Sequence, residues 1–157
     1  MVKSRREVLK SGGGMTLMAL LVAAGWLKPG VAAAQAWNKG AFEAKSMDEA
    51  MKAFGGGAPA QSKDVAFVST PDIAENGAVV PISVTSSIPK TESIAILIEK
   101  NPNMLAGSFE IPPGTDPSIG TRVKMGQASN VYALVKADGR YFVASKEIKV
   151  TLGGCGG

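Results

Sequence analysis

The single cysteine of the sequence, Cys155, stands in Gly153-Gly154-Cys155-Gly156-Gly157 and is its one soft nucleophile. A lone cysteine is most often a small buried hydrophobe. Four flanking glycines cannot build a core around it, so this one is expected to be a thiol offered to other molecules. Prenylation needs three residues after the cysteine, and two follow here. With no second cysteine and no histidine, no metal-ligand set and no histidine base can be assembled, and no catalytic residue is expected. No basic side chain adjoins the thiol, so near neutral pH it is mostly protonated, from a reference pKa of about 8.5. Such a cysteine is a poor catalyst alone and suits covalent cargo that partner sites activate. Gly153, Gly154, Gly156 and Gly157 remove side-chain bulk and widen the backbone's choices, the properties of a flexible arm. Extended, that arm carries the thiol about 10 Å beyond Leu152, at about 3.3–3.6 Å per residue.

The arm needs an anchor. Ile148, Val150 and Leu152 alternate with Glu147, Lys149 and Thr151, which predicts a half-buried final strand over 148–152. Further strands are expected at 65–69, 79–85, 94–99, 108–111, 121–125, 131–136 and 141–144, all rich in Val, Ile and aromatics. Asn76-Gly77, Asn101-Pro102, Pro112-Pro113-Gly114 and Asp138-Gly139 supply turns, the last of them a hairpin signal. Ahead of the strands, Ser46 and Glu49 form a capping box, and Met47, Ala50, Met51 and Phe54 share one helical face until Gly55-Gly56-Gly57 ends the helix. Residues 37–45 read as a loose lead-in. The expected fold class is mainly β: an immunoglobulin-like antiparallel β-sandwich with a short N-terminal helix and the C-terminal glycine arm.

Residues 1–36 read as an export signal outside the fold. Lys3, Arg5, Arg6 and Lys10 precede an apolar run from 15 to 27, too short to span a membrane, and Ala34-Gln35-Ala36 has the form of a cleavage site. The pair Arg5-Arg6 within 4–10 matches the twin-arginine motif, with Val8 where Phe is usual. The expected organisation is therefore signal 1–36, helix and sandwich 37–152, and arm 153–157, with the periplasm as destination and no membrane association after cleavage. Of 17 basic and 13 acidic residues, five and one fall in the signal, so the remaining chain has twelve of each. The basic character belongs to the signal, and no nucleic-acid footprint survives it. An odd cysteine in an exported protein implies a reactive thiol or an intermolecular pairing.

Together with the signal, the terminal sequence 150–157 resembles SoxY, the sulfur-carrier subunit of the periplasmic Sox thiosulfate-oxidising system. The resemblance continues through Ile73-Ala74-Glu75-Asn76-Gly77-Ala78-Val79-Val80-Pro81 and Thr121-Arg122-Val123. It implies that Cys155 carries the sulfane sulfur of thiosulfate, joined to it oxidatively by a c-type cytochrome as a cysteine S-thiosulfonate. It further implies a metal-dependent hydrolase that releases sulfate, a sulfur dehydrogenase where one is present, and a second β-sandwich subunit, SoxZ. No cofactor of the chain's own is implied. The main rival is an interaction protein whose Cys155 makes a disulfide-linked dimer. A ubiquitin-like carrier using the Gly156-Gly157 carboxylate requires ATP, which the periplasm lacks. A stand-alone enzyme has no carboxylate pair that the sequence brings together; Asp72, Glu75 and Glu99 read as solvated faces.

Overall fold

The computed structural model of the protein describes residues 38–151. The expected export signal with Arg5 and Arg6, and the arm residues Gly153, Gly154, Cys155, Gly156 and Gly157, lie outside the described residues.

Two short helices open the chain, α1 (Lys39–Glu43) and α2 (Met47–Ala53). The capping box forms at α2. The Ser46 hydroxyl accepts the Glu49 N–H at 3.2 Å, while the Glu49 carboxylate reaches one residue further back, to the Lys45 N–H at 2.8 Å. At the other end Gly56 N–H donates to Met51 O and Gly55 N–H to Lys52 O, both at 3.0 Å, with Gly55 at φ +71°. Those are the paired bonds of a Schellman cap, which requires a left-handed residue at Gly55. The lead-in is not loose as expected. Asn38 caps α1 by accepting the Ala41 N–H at 3.1 Å, and Ala41 and Ala44 are buried.

Nine strands follow: β1 (Ala60–Gln61), β2 (Val65–Phe67), β3 (Ile73–Ala74), β4 (Val80–Ser86), β5 (Thr91–Ile98), β6 (Leu105–Glu110), β7 (Ser118–Val123), β8 (Ser129–Ala137) and β9 (Arg140–Val150). One sheet has the order β1-β9-β8-β5-β6, with β3 also pairing β9; the other has the order β2-β4-β7. The main ladders are antiparallel, and β1 and β3 add two short parallel pairings along β9.

The larger sheet is covered on both faces. Ile94, Ile96 and Ile98 of β5, with Val131, Ala133 and Val135 of β8, pack against Val80, Ile82 and Val84 of β4. Ala95 and Leu97 of β5 and Leu134 of β8 instead meet Ala41, Ala50 and Met51 of the helices. Hence β5 is a continuous apolar run rather than an alternating one. Each fully buried isoleucine contributes about 1.5–3 kcal/mol of burial free energy.

Two expected strands, 141–144 and 148–152, are one strand, β9. Ser145, Lys146 and Glu147 look like a break in sequence, yet they pair with Tyr132, Val131 and Asn130 without interruption. The β8–β9 hairpin turns at Asp138 and Gly139, at φ +49° and +72°, the two positive values a primed two-residue turn requires.

Candidate functional site at the base of the tail

The tail leaves from the end of β9, and β9 is held there from both edges. On one edge β8 pairs with it as far as Ile148. On the other, Ile73 and Ala74 of β3 stand opposite Lys149 and Val150. Lys149 N–H donates to Asp72 O at 2.9 Å, and Thr151 N–H donates to Ala74 O at 3.0 Å. The Thr151 hydroxyl points at the same Ala74 carbonyl, 3.4 Å away. Backbone pairing therefore continues through Thr151, the last described residue.

The segment that holds β9 is itself fastened on two sides. The buried Thr70 hydroxyl accepts the Ser83 N–H at 2.9 Å and donates to the Ser83 carbonyl at 3.2 Å, tying it to β4. Lys146 of β9 donates to the Thr70 carbonyl and pairs with Asp72 at 3.0 Å. The chain from 68 to 74 thus crosses from the smaller sheet to the larger and closes that side of the sandwich. Asp72 does lie on a solvated face, at 87% side-chain exposure, but it is paired; Glu99, also expected on such a face, accepts from Asn130 at 2.8 Å.

Gly77 completes the base. Its carbonyl accepts the Met125 N–H at 2.7 Å. A Cβ there would stand 2.5 Å from Met125 O and 2.8 Å from Val150 Cγ1. Its φ is not positive, so the need for glycine is one of space. Three large apolar side chains on or just beyond this segment face solvent, Val68 at 47%, Ile73 at 56% and Val79 at 51% exposure. Among the described residues no group of three or more His, Cys, Asp or Glu could hold a metal ion.

Sequence reasoning stopped at the glycine tail and missed this clamp. The available signal was 73–81, one of the stretches that carries the resemblance; its β3 is two residues long, too short for any alternation pattern to show.

Comparison with known proteins bears on the family and the fold. The family model described as sulfur oxidation protein SoxY matches residues 50–155, a span that holds both sheets and ends on Cys155. The solved sulfur carrier protein SoxY from Chlorobium limicola f thiosulfatophilum superposes with a TM-score of 0.60 at 35% identity, covering 67% of this chain and 96% of its own. A superoxide reductase (neelaredoxin) from Ignicoccus hospitalis overlaps at a TM-score of 0.48 and 19% identity, over 55% of this chain and 79% of its own, and carries no functional argument. No curated protein matches the sequence. With that span matched by the family model, and that identity over nearly all of the solved carrier, the chain belongs to the SoxY family of sulfur oxidation proteins.

Proposed function

We propose that the chain is a non-catalytic covalent carrier, holding thiosulfate-derived sulfur on Cys155 while partner enzymes of sulfur oxidation work on it. The observation that carries this reading is the fastening of β9 through Thr151, four residues before the lone cysteine on which the family match ends. A carrier needs a fixed base and a slim reach, and four glycines around the thiol suit the reach.

In this reading the Cys155 thiolate joins the sulfane sulfur of thiosulfate. A sulfur–sulfur bond forms, and two electrons pass to the c-type cytochrome. The metal-dependent hydrolase then adds water across the terminal bond. Sulfate and two protons leave, and a persulfide remains on the cysteine, which the sulfur dehydrogenase, where present, oxidises. Ile73 and Val79 give these enzymes apolar surface where a protein that admits the tail must touch the sandwich. Arg5-Arg6 directs the folded chain to the periplasm by the twin-arginine route, with a SoxZ-like β-sandwich partner bound.

Intact mass after incubation with thiosulfate and periplasmic extract tests the reading. The native chain should gain a thiosulfonate or persulfide adduct. Cys155→Ser should gain none while its stability stays within about 0.5 kcal/mol, as for exposed substitutions away from the core. Adducts persisting on the serine variant would sink the carrier reading. A reducible dimer with no adduct on monomers would favour the disulfide-linked alternative.

A further inference from the structure

The two lateral sides of the sandwich differ. The side at β9 and β2 is closed by residues 68–74, as described. On the opposite side β6 and β7 each end their sheet with no second strand partner among the described residues. A groove of about 280 Å³ runs there, lined by Leu105, Gly107 and Phe109 of β6, by Thr121 and Arg122 of β7, and by Lys124. Asn101 and Asn103 also line it, and no carboxylate does. Asn101 is spent on structure, donating to Lys124 O at 2.8 Å and accepting from Gly126 N–H at 3.4 Å. Arg122 and Lys124 are both exposed, and the described residues provide neither with an ion pair. A cleft walled by two unspent cations, without a neighbouring acid, selects an anion.

The occupant is indicated by what lies next to the groove. Lys124 precedes Met125, whose N–H is bonded to Gly77, and Gly77 lies against Val150. Two such contacts at about 5.5 Å between Cα atoms and one residue step of about 3.8 Å place the Lys124 backbone within about 15 Å of Val150. From Val150 to Cys155 five residues extend about 17 Å. We propose that the β6–β7 groove is a resting site for the anionic head of the cargo, with Arg122 and Lys124 holding the terminal sulfonate of a thiosulfonate borne on Cys155. This rests on the carrier reading above and adds to it a place on the chain's own surface. An oxyanion held there is kept from stray thiols between partner visits, and the persulfide left after sulfate release has lost the sulfonate that the groove holds. The same groove therefore holds loaded cargo more firmly than processed cargo, whose terminal sulfur is still anionic but offers no oxygen to Arg122 or Lys124.

The test loads Cys155 without any enzyme. Its thiolate attacks a central sulfur of tetrathionate; the central sulfur–sulfur bond breaks, thiosulfate leaves with the electron pair, and the thiosulfonate stays on the cysteine. Methyl methanethiosulfonate gives a neutral methyl disulfide at the same atom as a control, methanesulfinate leaving. In NMR spectra of the folded chain, amide shifts of 103 and 121–124 should move in the thiosulfonate form and stay unmoved in the methyl disulfide form. Reduction of the adduct by dithiothreitol should be about two- to fivefold faster in an Arg122→Gln/Lys124→Gln variant, the range expected for exposed ion pairs. Shifts confined to 150–157, equal shifts with the neutral adduct, or equal reduction rates in the variant would each overturn the resting site. Because loading here is chemical, such a failure leaves enzymatic loading of Cys155 intact, whereas loss of enzymatic loading with the groove shifts present counts against the carrier reading alone.

Discussion

Gly77 and Val150 are separated by less than one side chain: a Cβ on Gly77 would stand 2.8 Å from Val150 Cγ1, closer than carbon atoms tolerate. The turn before β4 is therefore the floor under the last residue of the last strand. Gly77→Ala should lower stability by about 1–3 kcal/mol, the cost of overpacking a site whose other wall is backbone. That wall is Met125 O, 2.5 Å from the added carbon, and it cannot rotate away as a side chain would. Thermal unfolding measures the loss, and a melt equal to wild type would show that the floor is not rigid.

Lys146 ties the strap over 70–74 to β9, with its side chain mostly buried beneath an exposed Asp72. The pair itself is partly screened, so the larger effect of Lys146→Met should come from the unpaired Thr70 carbonyl. Stability should fall by about 1–2 kcal/mol. Hydrogen exchange at the Lys149 and Thr151 amides should quicken more than at Ile148, because these two donate to Asp72 and Ala74 of the strap. Uniform quickening along β9 would mean global destabilisation and would refute the local tether.

Much of the sandwich was legible because one residue pattern serves one face. The β8–β9 turn, the α2 cap and the runs of β4, β5 and β8 all follow from local chemistry. What was hidden depends on tertiary placement. Ser145-Lys146-Glu147 interrupts the apolar pattern, yet β8 supplies partners for all three, so the strand continues. Residues 39–43 carry too little pattern to announce a helix, and α1 exists because Asn38 caps it and the sheet buries Ala41. At the candidate site, the glycine tail was readable from composition alone. The clamp at its base was not, since Thr70, Asp72, Gly77 and Lys146 meet only through contacts distant in sequence.

Glu92 gives the fold an acid-sensitive turn. Its carboxylate accepts from Lys136 at 2.9 Å and from the Gly139 N–H at 3.1 Å, and these bonds, the lysine's first, hold its pKa below the ordinary 4.5. A carboxyl depressed in the folded state contributes stability above its unfolded pKa and loses it as pH falls through the folded value. The β8–β9 hairpin should therefore loosen below about pH 4.5, with the Gly139 amide shift following the Glu92 carboxyl titration. Lys136 behaves oppositely: Glu92 raises its pKa, so its contribution is present at neutral pH and lost only as strong alkali deprotonates it. Glu92→Gln should flatten the acid limb of the stability profile; an unchanged limb would assign the acid sensitivity to other carboxylates.

The proposed arm makes the sharpest demand on chemistry beyond the last strand. Gly153 and Gly154 are the two links between Leu152 and Cys155. Replacing both by proline fixes φ near −65° and adds ring bulk, turning the link into a stiff rod. The cysteine keeps its flanking Gly156 and gains no charged neighbour, so alkylation by a small thiol reagent should proceed almost unchanged. Processing by the partner enzymes should fall sharply, because a pocket that accepts the sulfur must accept the backbone behind it. Double alanine replacement should fall between, since a Cβ narrows backbone freedom without locking it. The two rates separate two explanations. If alkylation and processing decline together, the proline variant has simply hidden the thiol. If alkylation persists while processing is lost, the glycines act through slimness and freedom. Processing of the proline variant at the wild-type rate would remove the arm from the mechanism and leave the clamp at Thr151 as an anchor without a lever.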